Sequence, residues 1–389
     1  MSLLQLWKAG GEDFQKKQIQ QLTAVAGNGT LKDGNATSLE LRELLSVVPT
    51  EQLGVYLMEC LEKTFSDSGL VLQDIVNELG QRLDCVVTPG LYQGKVNAIG
   101  FDGIWRFPNG YSIVVEVKTT DAYAISLDKI AAYRKGLIQS GKIQENSSIL
   151  IIVGRKDTNS LEAQVRGSRH AWDMRLISAE ALLKLVGIKE EADDQSTITK
   201  IRSILTPLEL TKLDFVVELL ATATEDIQES ITEDSAEEPK GKKEKKFTPV
   251  AFNKEVAKNV QDFLGKDLKK TTRTLYATSD KSISVRCLVS KTHDTAEKAY
   301  YWFAFHPHFK SDLESYSEAF LAFGCGSPNK IFFFKMPEFV ALLDQLNTTA
   351  TEDRIYWHVH IYETLEGKSF LHRKGGKAAL EITDKLIKL

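Results

Sequence analysis

Residues 100 to 121 read GFDGIWRFPNGYSIVVEVKTTD. At its middle, Pro108-Asn109-Gly110 joins a residue of fixed φ, one that tolerates left-handed backbone and one without a side chain, which is strong turn chemistry. The flanking runs, GFDGIWRF and YSIVVEVKTT, are rich in β-branched and aromatic residues, so the stretch predicts a β-hairpin. Side chains alternate between faces along a strand, so Glu116 and Lys118 share one face while Val115 and Val117 take the other. A turn over residues 107–110 sets Asp102 opposite Glu116, where cross-strand Cβ atoms lie ~5 Å apart.

Two apposed carboxylates repel unless a cation or a proton sits between them. Hard oxygen donors of this kind suit Mg²⁺, with Mn²⁺ able to substitute. Such a metal polarises a phosphoryl oxygen and lowers the pKa of a bound water, and Lys118 could orient that water or offset developing negative charge. The same residues are also what a solvated surface hairpin carries near its strand ends.

Outward from the hairpin the pattern is mixed. Leu53, Tyr56, Leu57, Cys60 and Leu61 recur at helical spacing, and a second helix should place Leu72, Ile75, Val76, Leu79 and Leu83 on one face. A short strand from Cys85 to Thr88 closes at Pro89-Gly90. Beyond the hairpin, Leu127, Ile130, Ala131, Tyr133 and Leu137 predict a helix, and SSILIIVG (Ser147 to Gly154) reads as a buried strand. A helix follows around Ser160 to Gly167, then a strand from Met174 to Ile177. Ser178 should cap a helix that ends near Gly187. The order α-β-β-β-α-β-α-β implies a mixed central sheet flanked by helices.

The run GFDGIW…SIVVEVKTTD resembles the PD-(D/E)xK nuclease signature, an aspartate entering a hairpin followed by an apolar strand ending in E-x-K. Phe101 stands where that signature has proline. The element order from about Leu70 to Gly187 resembles the family's restriction-endonuclease-like core, an α/β fold. The resemblance implies that Asp102 and Glu116 are metal ligands, that the main-chain carbonyl of Val117 completes the site, and that Lys118 is the catalytic lysine. It also implies a glutamate on the helix before the hairpin, a place that Glu78 fits; a solvated helix carboxylate fits it equally.

Flanking polar residues offer candidate nucleic-acid contacts. Tyr92 and Gln93 precede the hairpin. Gln164, Arg166, Arg169 and His170 follow the buried strand, and guanidinium groups suit bidentate phosphate contacts. A plain solvated helix end is the alternative for this second group.

A helical lead-in is expected over residues 1–68, and the core with trailing helices over residues 69–222. From Thr222 to Lys246 the chain reads TATEDIQESITEDSAEEPKGKKEKK, acidic and then basic with almost no apolar residue, so residues 223–246 should form a solvated charged linker. Residues 247–389 predict a separate α+β domain rich in aromatics: Tyr300, Tyr301, Trp302, Phe303, Phe305, Phe332, Phe333, Phe334, Tyr356 and Trp357. A helix is expected over Pro337 to Leu346. His306 and His308, and His358 and His360, each alternate as a strand-face pair would. Imidazole pairs bind transition metals, but histidines satisfied beside aromatic packing fit as well. Lys330, Lys335, Arg354, Arg373, Lys374 and Lys377 interleave with the aromatics and could contact phosphates while rings stack bases.

The chain has 389 residues with formal net charge −4, so any nucleic-acid binding uses local patches and not overall charge. No apolar run is long enough to span a membrane, and no signal peptide is evident. Four cysteines, Cys60, Cys85, Cys287 and Cys325, form no C-x-x-C pair, which argues against a structural zinc site or disulfide framework and fits a reducing cytoplasm. No P-loop is evident.

The expectation is therefore a Mg²⁺-dependent DNA endonuclease of restriction or defence type, working as a homodimer because duplex cleavage needs two active sites. Its C-terminal domain would choose the DNA, and a partner methylase or ATPase could be required. The alternatives are a non-catalytic nucleic-acid-binding or partner-recruiting module, and an RNA or structure-specific nuclease.

Overall fold

The structure is a computed structural model that describes residues 1–63, 65–93, 99–119, 125–154, 158–192, 195–207, 249–294, 299–350, 355–364 and 366–387. The 223–246 segment and Arg354 lie outside these residues. The chain divides into two compact units, Met1–Glu191 with Ser196–Leu220, and Ala192–Gln195 with Ala221–Leu389. Both contain helices and sheets, a mixed α/β architecture. No described helix is long and apolar enough to cross a membrane.

The first unit opens with helices α1 (Leu3–Ala9), α2 (Gly11–Gln15), α3 (Ile19–Val25), α4 (Ala36–Val47), α5 (Thr50–Glu62) and α6 (Ser68–Arg82). Asn35 caps α4 by accepting the Ser38 N–H at 3.0 Å. On α5, Leu53, Tyr56, Leu57 and Cys60 are buried, the face that the helical spacing predicts. Helix α6 departs from the amphipathic expectation. Besides Leu72, Ile75, Val76 and Leu79, it buries Gln73, Asp74, Asn77, Glu78 and Arg82. It contacts α4, α5 and α9 (Ala179–Glu191) as well as the sheet, so every residue from Val71 to Gly80 is buried.

The sheet contains β1 (Val86–Pro89), β2 (Gly103–Arg106), β3 (Ser112–Lys118), β4 (Ser147–Val153) and β5 (Met174–Ser178), in that spatial order. Strands β1, β2 and β3 pair antiparallel, whereas β3, β4 and β5 pair in parallel. The hairpin turn closes through the Phe107 N–H to Tyr111 carbonyl bond at 2.8 Å and the Gly110 N–H to Phe107 carbonyl bond at 2.9 Å. Gly110 has φ +85°, a left-handed conformation that favours glycine. All seven residues of β4 are buried, as its continuous apolar run requires.

Alternation assigns the two faces. Ile104, Val114, Ile149 and Ile151 pack with Leu127, Ile130 and Leu137 of α7 (Leu127–Gln139) and with Leu161 and Val165 of α8 (Asn159–Arg166). Gly103 and Trp105 face α6 instead. A Cβ on Gly103 would meet the Asn77 amide oxygen, and Gly80 of α6 lies directly on the Trp105 ring.

Ser178 caps α9 through the Ala181 N–H at 3.1 Å. The helix then runs to Glu191, past Gly187 where the sequence predicted its end. The residues beyond the glycine hold it: Lys189 is 1% exposed and bonds Asp84 at 3.0 Å, and Glu190 bonds the Thr50 hydroxyl at 2.6 Å. These tertiary contacts outweigh the ~1 kcal/mol cost of a helical glycine. Helix α10 (Gln195–Ser203) returns Arg202 to the same Asp84 at 3.1 Å.

The second unit packs helix α11 (Pro249–Leu264) on one sheet and a second sheet on the other side of it. The inner sheet runs β12-β11-β8-β7-β6, with β6 (Lys269–Lys270), β7 (Leu275–Ala277), β8 (Ile283–Ser290), β11 (Glu318–Cys325) and β12 (Ile331–Lys335). Strands β8 and β11 pair in parallel. The outer sheet runs β16-β15-β14-β10-β9, with β9 (His293–Asp294), β10 (Ala299–Phe305), β14 (Ile355–Glu363), β15 (Ser369–Leu371) and β16 (Leu380–Glu381); β13 (Asn347–Ala350) also pairs with β14. Between the sheets lies an aromatic core, in which the Phe303 and Phe323 rings meet edge to face at 5.0 Å. Short helix α12 (Asp312–Ser315) supplies Asp312, which takes two bonds from the buried Arg286 guanidinium at 2.8 and 2.9 Å.

The helix expected over Pro337 to Leu346 is shorter. Helix α13 is Met336–Val340, and a separate 3-10 turn spans Leu343–Gln345. The tighter turn stacks positions three apart, which sends both Leu343 and Leu346 into the core.

The contact of α6 with β2 yields a stability prediction. A Cβ on Gly80 would lie 2.4 Å from the Trp105 ring, whose indole is fully buried and donates to Asn77 at 3.0 Å. Gly80→Ala should lower unfolding stability by about 1–3 kcal/mol, the usual cost of overpacking, read from the urea midpoint at constant m-value. An unchanged midpoint would show that α6 can move off the strand at little cost.

Candidate functional site

The ladder of β2 begins with Gly103 opposite Val115, and Asp102 stands one residue before it, its carboxyl close enough to Glu116 to feel that charge. Alternation along β3 puts Glu116 and Lys118 on the face of Val114, at the end of the hairpin, and the Asp102 carboxyl lies beside them, bonded to the Val117 N–H. The Asp102 main chain is tightly held. Its N–H donates to the Val115 carbonyl at 3.0 Å. Its carbonyl accepts the Gly90 N–H at 2.9 Å, Asn77 Nδ2 at 2.8 Å and Gln73 Nε2 at 3.1 Å.

The side chains form a compact charged group. The Val117 N–H donates to Asp102 Oδ2 at 2.6 Å, and Lys118 Nζ meets Glu116 Oε1 at 2.5 Å. The Lys118 carbonyl accepts the Gly154 N–H on the β4 side of the strand. Val117 therefore points its N–H and its carbonyl the opposite way, towards Asp102. Two carboxylates and one main-chain carbonyl thus approach from adjacent strands, with an ammonium on the same face.

Burial pushes the Asp102 carboxyl up to about 6, and the negative charge of Glu116 adds to this; the Val117 N–H and the Lys118 ammonium act against it. A cation placed between the two carboxylates would relieve both penalties. Among the described residues no group of three or more His, Cys, Asp or Glu side chains converges on a common point. The donor set here is a carboxylate pair, which fits Mg²⁺, an ion that uses one or two carboxylates.

Other residues named from the sequence lie elsewhere. Glu78 is 3% exposed and receives Arg82 Nε at 2.9 Å, while Arg82 also donates to the Leu45 and Val48 carbonyls and to Thr50. It belongs to the packing of α6 on the preceding helices, across the sheet from the carboxylate pair, so the structure does not bring it to Asp102. Gln164 is fully engaged with the Ile125 backbone: its Oε1 accepts the Ile125 N–H at 3.1 Å and its Nε2 donates to the Ile125 carbonyl at 2.6 Å. Arg166 is exposed, 3.8 Å from Glu162. Exposed Arg169 pairs with Asp128 at 2.8 Å, and His170 meets the same carboxylate at 2.7 Å. Gln93 is exposed.

Tyr92 does join α6. Its hydroxyl donates to Asp74 Oδ2, and Arg42 Nε reaches Asp74 Oδ1 at 2.9 Å, with the Arg42 guanidinium 5.1 Å from the Tyr92 ring centre. Burial pushes the Asp74 carboxyl up to about 6, and Arg42 opposes that shift.

Gln73 and Asn77 are the residues that sequence reasoning passed over. They hold the Asp102 carbonyl from inside the fold. Their signal was present: two amide side chains at positions i and i+4 of a helix share one face and can both reach one acceptor.

In the second unit Trp302 Nε1 donates to His358 Nδ1 at 3.1 Å, and His358 Nε2 lies 2.7 Å from the Thr349 hydroxyl. Lys330 pairs with Glu363 at 2.7 Å, and Arg373 bonds Gln345 at 2.9 Å and the Ala378 carbonyl at 2.6 Å. Lys335, Lys374 and Lys377 are exposed.

Comparison of the sequence with protein-family models and with curated proteins gives no match.

The raised Asp102 carboxyl has a defined sign in stability. A buried carboxyl that binds its proton more tightly folded than unfolded destabilises the fold as pH rises through the window between the two pKa values, here from about 4 to about 6. Asp102→Asn can still accept the Val117 N–H but carries no charge. In EDTA the variant should match wild type near pH 4 and exceed it at pH 7 by about 1–3 kcal/mol, measured by urea unfolding. A gap independent of pH would show that the Asp102 charge carries no such penalty.

Proposed function

We propose that the first unit is a metal-dependent nuclease with a restriction-endonuclease-like core, hydrolysing phosphodiester bonds in DNA. The observation that carries this reading is the closeness of the Asp102 and Glu116 carboxylates at the end of the hairpin, with Lys118 beside them. A protein that only bound DNA would gain nothing from two carboxylates turned towards phosphates. The element order α6-β1-β2-β3-α7-β4 supports the same reading, as does the pinned Asp102 backbone, because a catalytic carboxylate must be held to a fraction of an ångström.

In this reading Asp102, Glu116 and the Val117 carbonyl hold Mg²⁺, or Mn²⁺ in its place. The ion supplies Lewis acidity at the phosphoryl oxygen and a more acidic bound water. The Val117 N–H fixes the orientation of Asp102. The Lys118 ammonium, now beside Glu116, is placed to orient the attacking water and to offset charge developing on the phosphate. Exposed Arg166 is open to the DNA backbone, and Arg169 would have to leave Asp128 to reach it, whereas Gln164 and Glu78 serve the fold. Cleavage of both strands requires two such centres, which points to a homodimer.

The test is plasmid cleavage with Mg²⁺ or Mn²⁺. Asp102→Ala and Lys118→Ala should each lower the rate by at least about 100-fold, the scale of losing a group that acts on the transition state. Wild-type protein that leaves methylated, unmethylated and single-stranded DNA intact while still binding DNA in a salt-dependent way would favour a binding module instead. Glu78→Gln separates the helix carboxylate from the site: it keeps an acceptor for Arg82 and should cut within about threefold of wild type while unfolding at lower urea, since a buried guanidinium loses its charged partner. A loss of cleavage as deep as that of Asp102→Ala, with stability unchanged, would return Glu78 to the metal site.

A further inference from the structure

One face of the second unit breaks the usual rule for a solvated antiparallel sheet, whose outward positions are polar. On β10 the buried positions are Tyr301, Phe303 and Phe305, and alternation turns Tyr300 and Trp302 outward. On β14 the buried positions are Val359 and Ile361, so Tyr356, His358, His360 and Tyr362 point outward. These outward side chains are half-buried, not withdrawn.

They form a continuous row of rings. His306 lies 5.8 Å from Tyr356, Tyr356 4.9 Å from His358, His358 5.9 Å from His360, and His360 6.2 Å from His372 (centroid to centroid). Trp302 flanks the row, 6.3 Å from Tyr356 and 6.0 Å from His358. Every ring in it has a polar edge as well as a π face, which aliphatic docking surfaces lack.

The row ends in a basic loop. His372 is exposed and its N–H donates to the His360 carbonyl at 2.9 Å. It opens the run His372-Arg373-Lys374-Gly375-Gly376-Lys377, whose two glycines lie at φ +70° and +68°. Arg373 and the Lys374 N–H fasten this loop to Gln345, at 2.9 and 2.7 Å, leaving the Lys374 and Lys377 side chains exposed. The outward positions described on β10, β14 and β15 carry no carboxylate; on the edge strand β16, Glu381 faces outward opposite Phe370, 4.0 Å from Lys368.

We propose that this row of rings and its basic loop bind single-stranded nucleic acid, the bases stacking along His306, Tyr356, His358, His360 and His372 and the phosphates meeting Lys374 and Lys377. Stacking platforms beside cationic grooves are how single strands are held without base-specific readout, each base contributing about 1–3 kcal/mol. Charge selects the occupant: burial above all, together with His358 and His372, holds the His360 imidazole down to about 4, and the cations stand at one end of the row. The inference stands apart from the nuclease reading, since it needs neither metal nor cleavage.

The test uses the full chain in EDTA, so that no strand is cut, with fluorescein-labelled oligothymidylate and oligouridylate of about 20 nucleotides and a duplex of equal length. Anisotropy should give single strands at least tenfold tighter than the duplex, and the two single-stranded arms tell DNA from RNA. Tyr356→Ala and His360→Ala should each weaken binding about tenfold, while Tyr356→Phe, which keeps the ring, stays within threefold. Lys374→Glu with Lys377→Glu should flatten the dependence on salt by about 1.4 in the log–log slope, two phosphates' worth for a single strand. Equal affinity for duplex and single strand, or ring variants that bind like wild type and melt like it, would overturn the proposal. So would a loss confined to the lysine variants, which would reduce the contact to plain phosphate attraction. The measurement needs neither metal nor cleavage, so failure of the nuclease reading leaves this result readable.

Discussion

The carbonyl oxygen of Asp102 is where helix α6 and the hairpin are tied together. It accepts from the Gly90 main chain and from two helix amides, Asn77 and Gln73, while Asn77 also receives the Trp105 indole N–H. A carbonyl offers two lone pairs, so three donors on one oxygen leave its position little freedom. The neighbouring side chain inherits that rigidity. The Asp102 backbone cannot move without breaking a helix contact, and its carboxylate cannot swing away from Glu116 without losing the Val117 N–H.

That arrangement explains why the charges remain close. Burial and Glu116 raise the Asp102 carboxyl, and only the Val117 N–H and the Lys118 ammonium oppose the shift. One hydrogen-bond donor and one cation stop short of neutralising the group. A site that stays electrically incomplete is suited to receiving a cation, and the same incompleteness is a standing cost to the folded protein that the dense packing of α6 and β4 offsets.

The hairpin was legible because its information is local. Pro108-Asn109-Gly110 fixes the turn, the turn fixes the register, and the register decides which carboxylates meet. The order of helices and strands was legible from periodicity for the same reason. Helix α6 was not, because its environment is tertiary: hydrophobic spacing marks the face that wants burial but cannot say that a second layer of helices covers the polar face as well. Glu78 was therefore read as available when Arg82 already holds it, and Asn77, one residue earlier and a hundred degrees round the helix, makes the contact that matters. Gly187 misled in the same way, since the contacts of Lys189 and Glu190 that override it come from residues far away in sequence. In the second unit the aromatic richness was visible, but the division of those rings between a core and an outward row depends on which strands pair.

The parallel pairing of β8 with β11 carries a consequence for how the second unit is made. Parallel neighbours cannot be joined by a tight turn, so the chain must leave the inner sheet after Ser290 and come back at Glu318, and β10 of the outer sheet lies within that excursion. The inner sheet is also closed from far downstream, where Phe332 bridges to Leu386 and the Ile387 N–H donates to the Ile331 carbonyl at 3.0 Å. Neither sheet is thus a contiguous module. On a ribosome the inner sheet cannot be completed until the segment around Leu386 has emerged, so its closure waits on contacts between residues far apart in sequence.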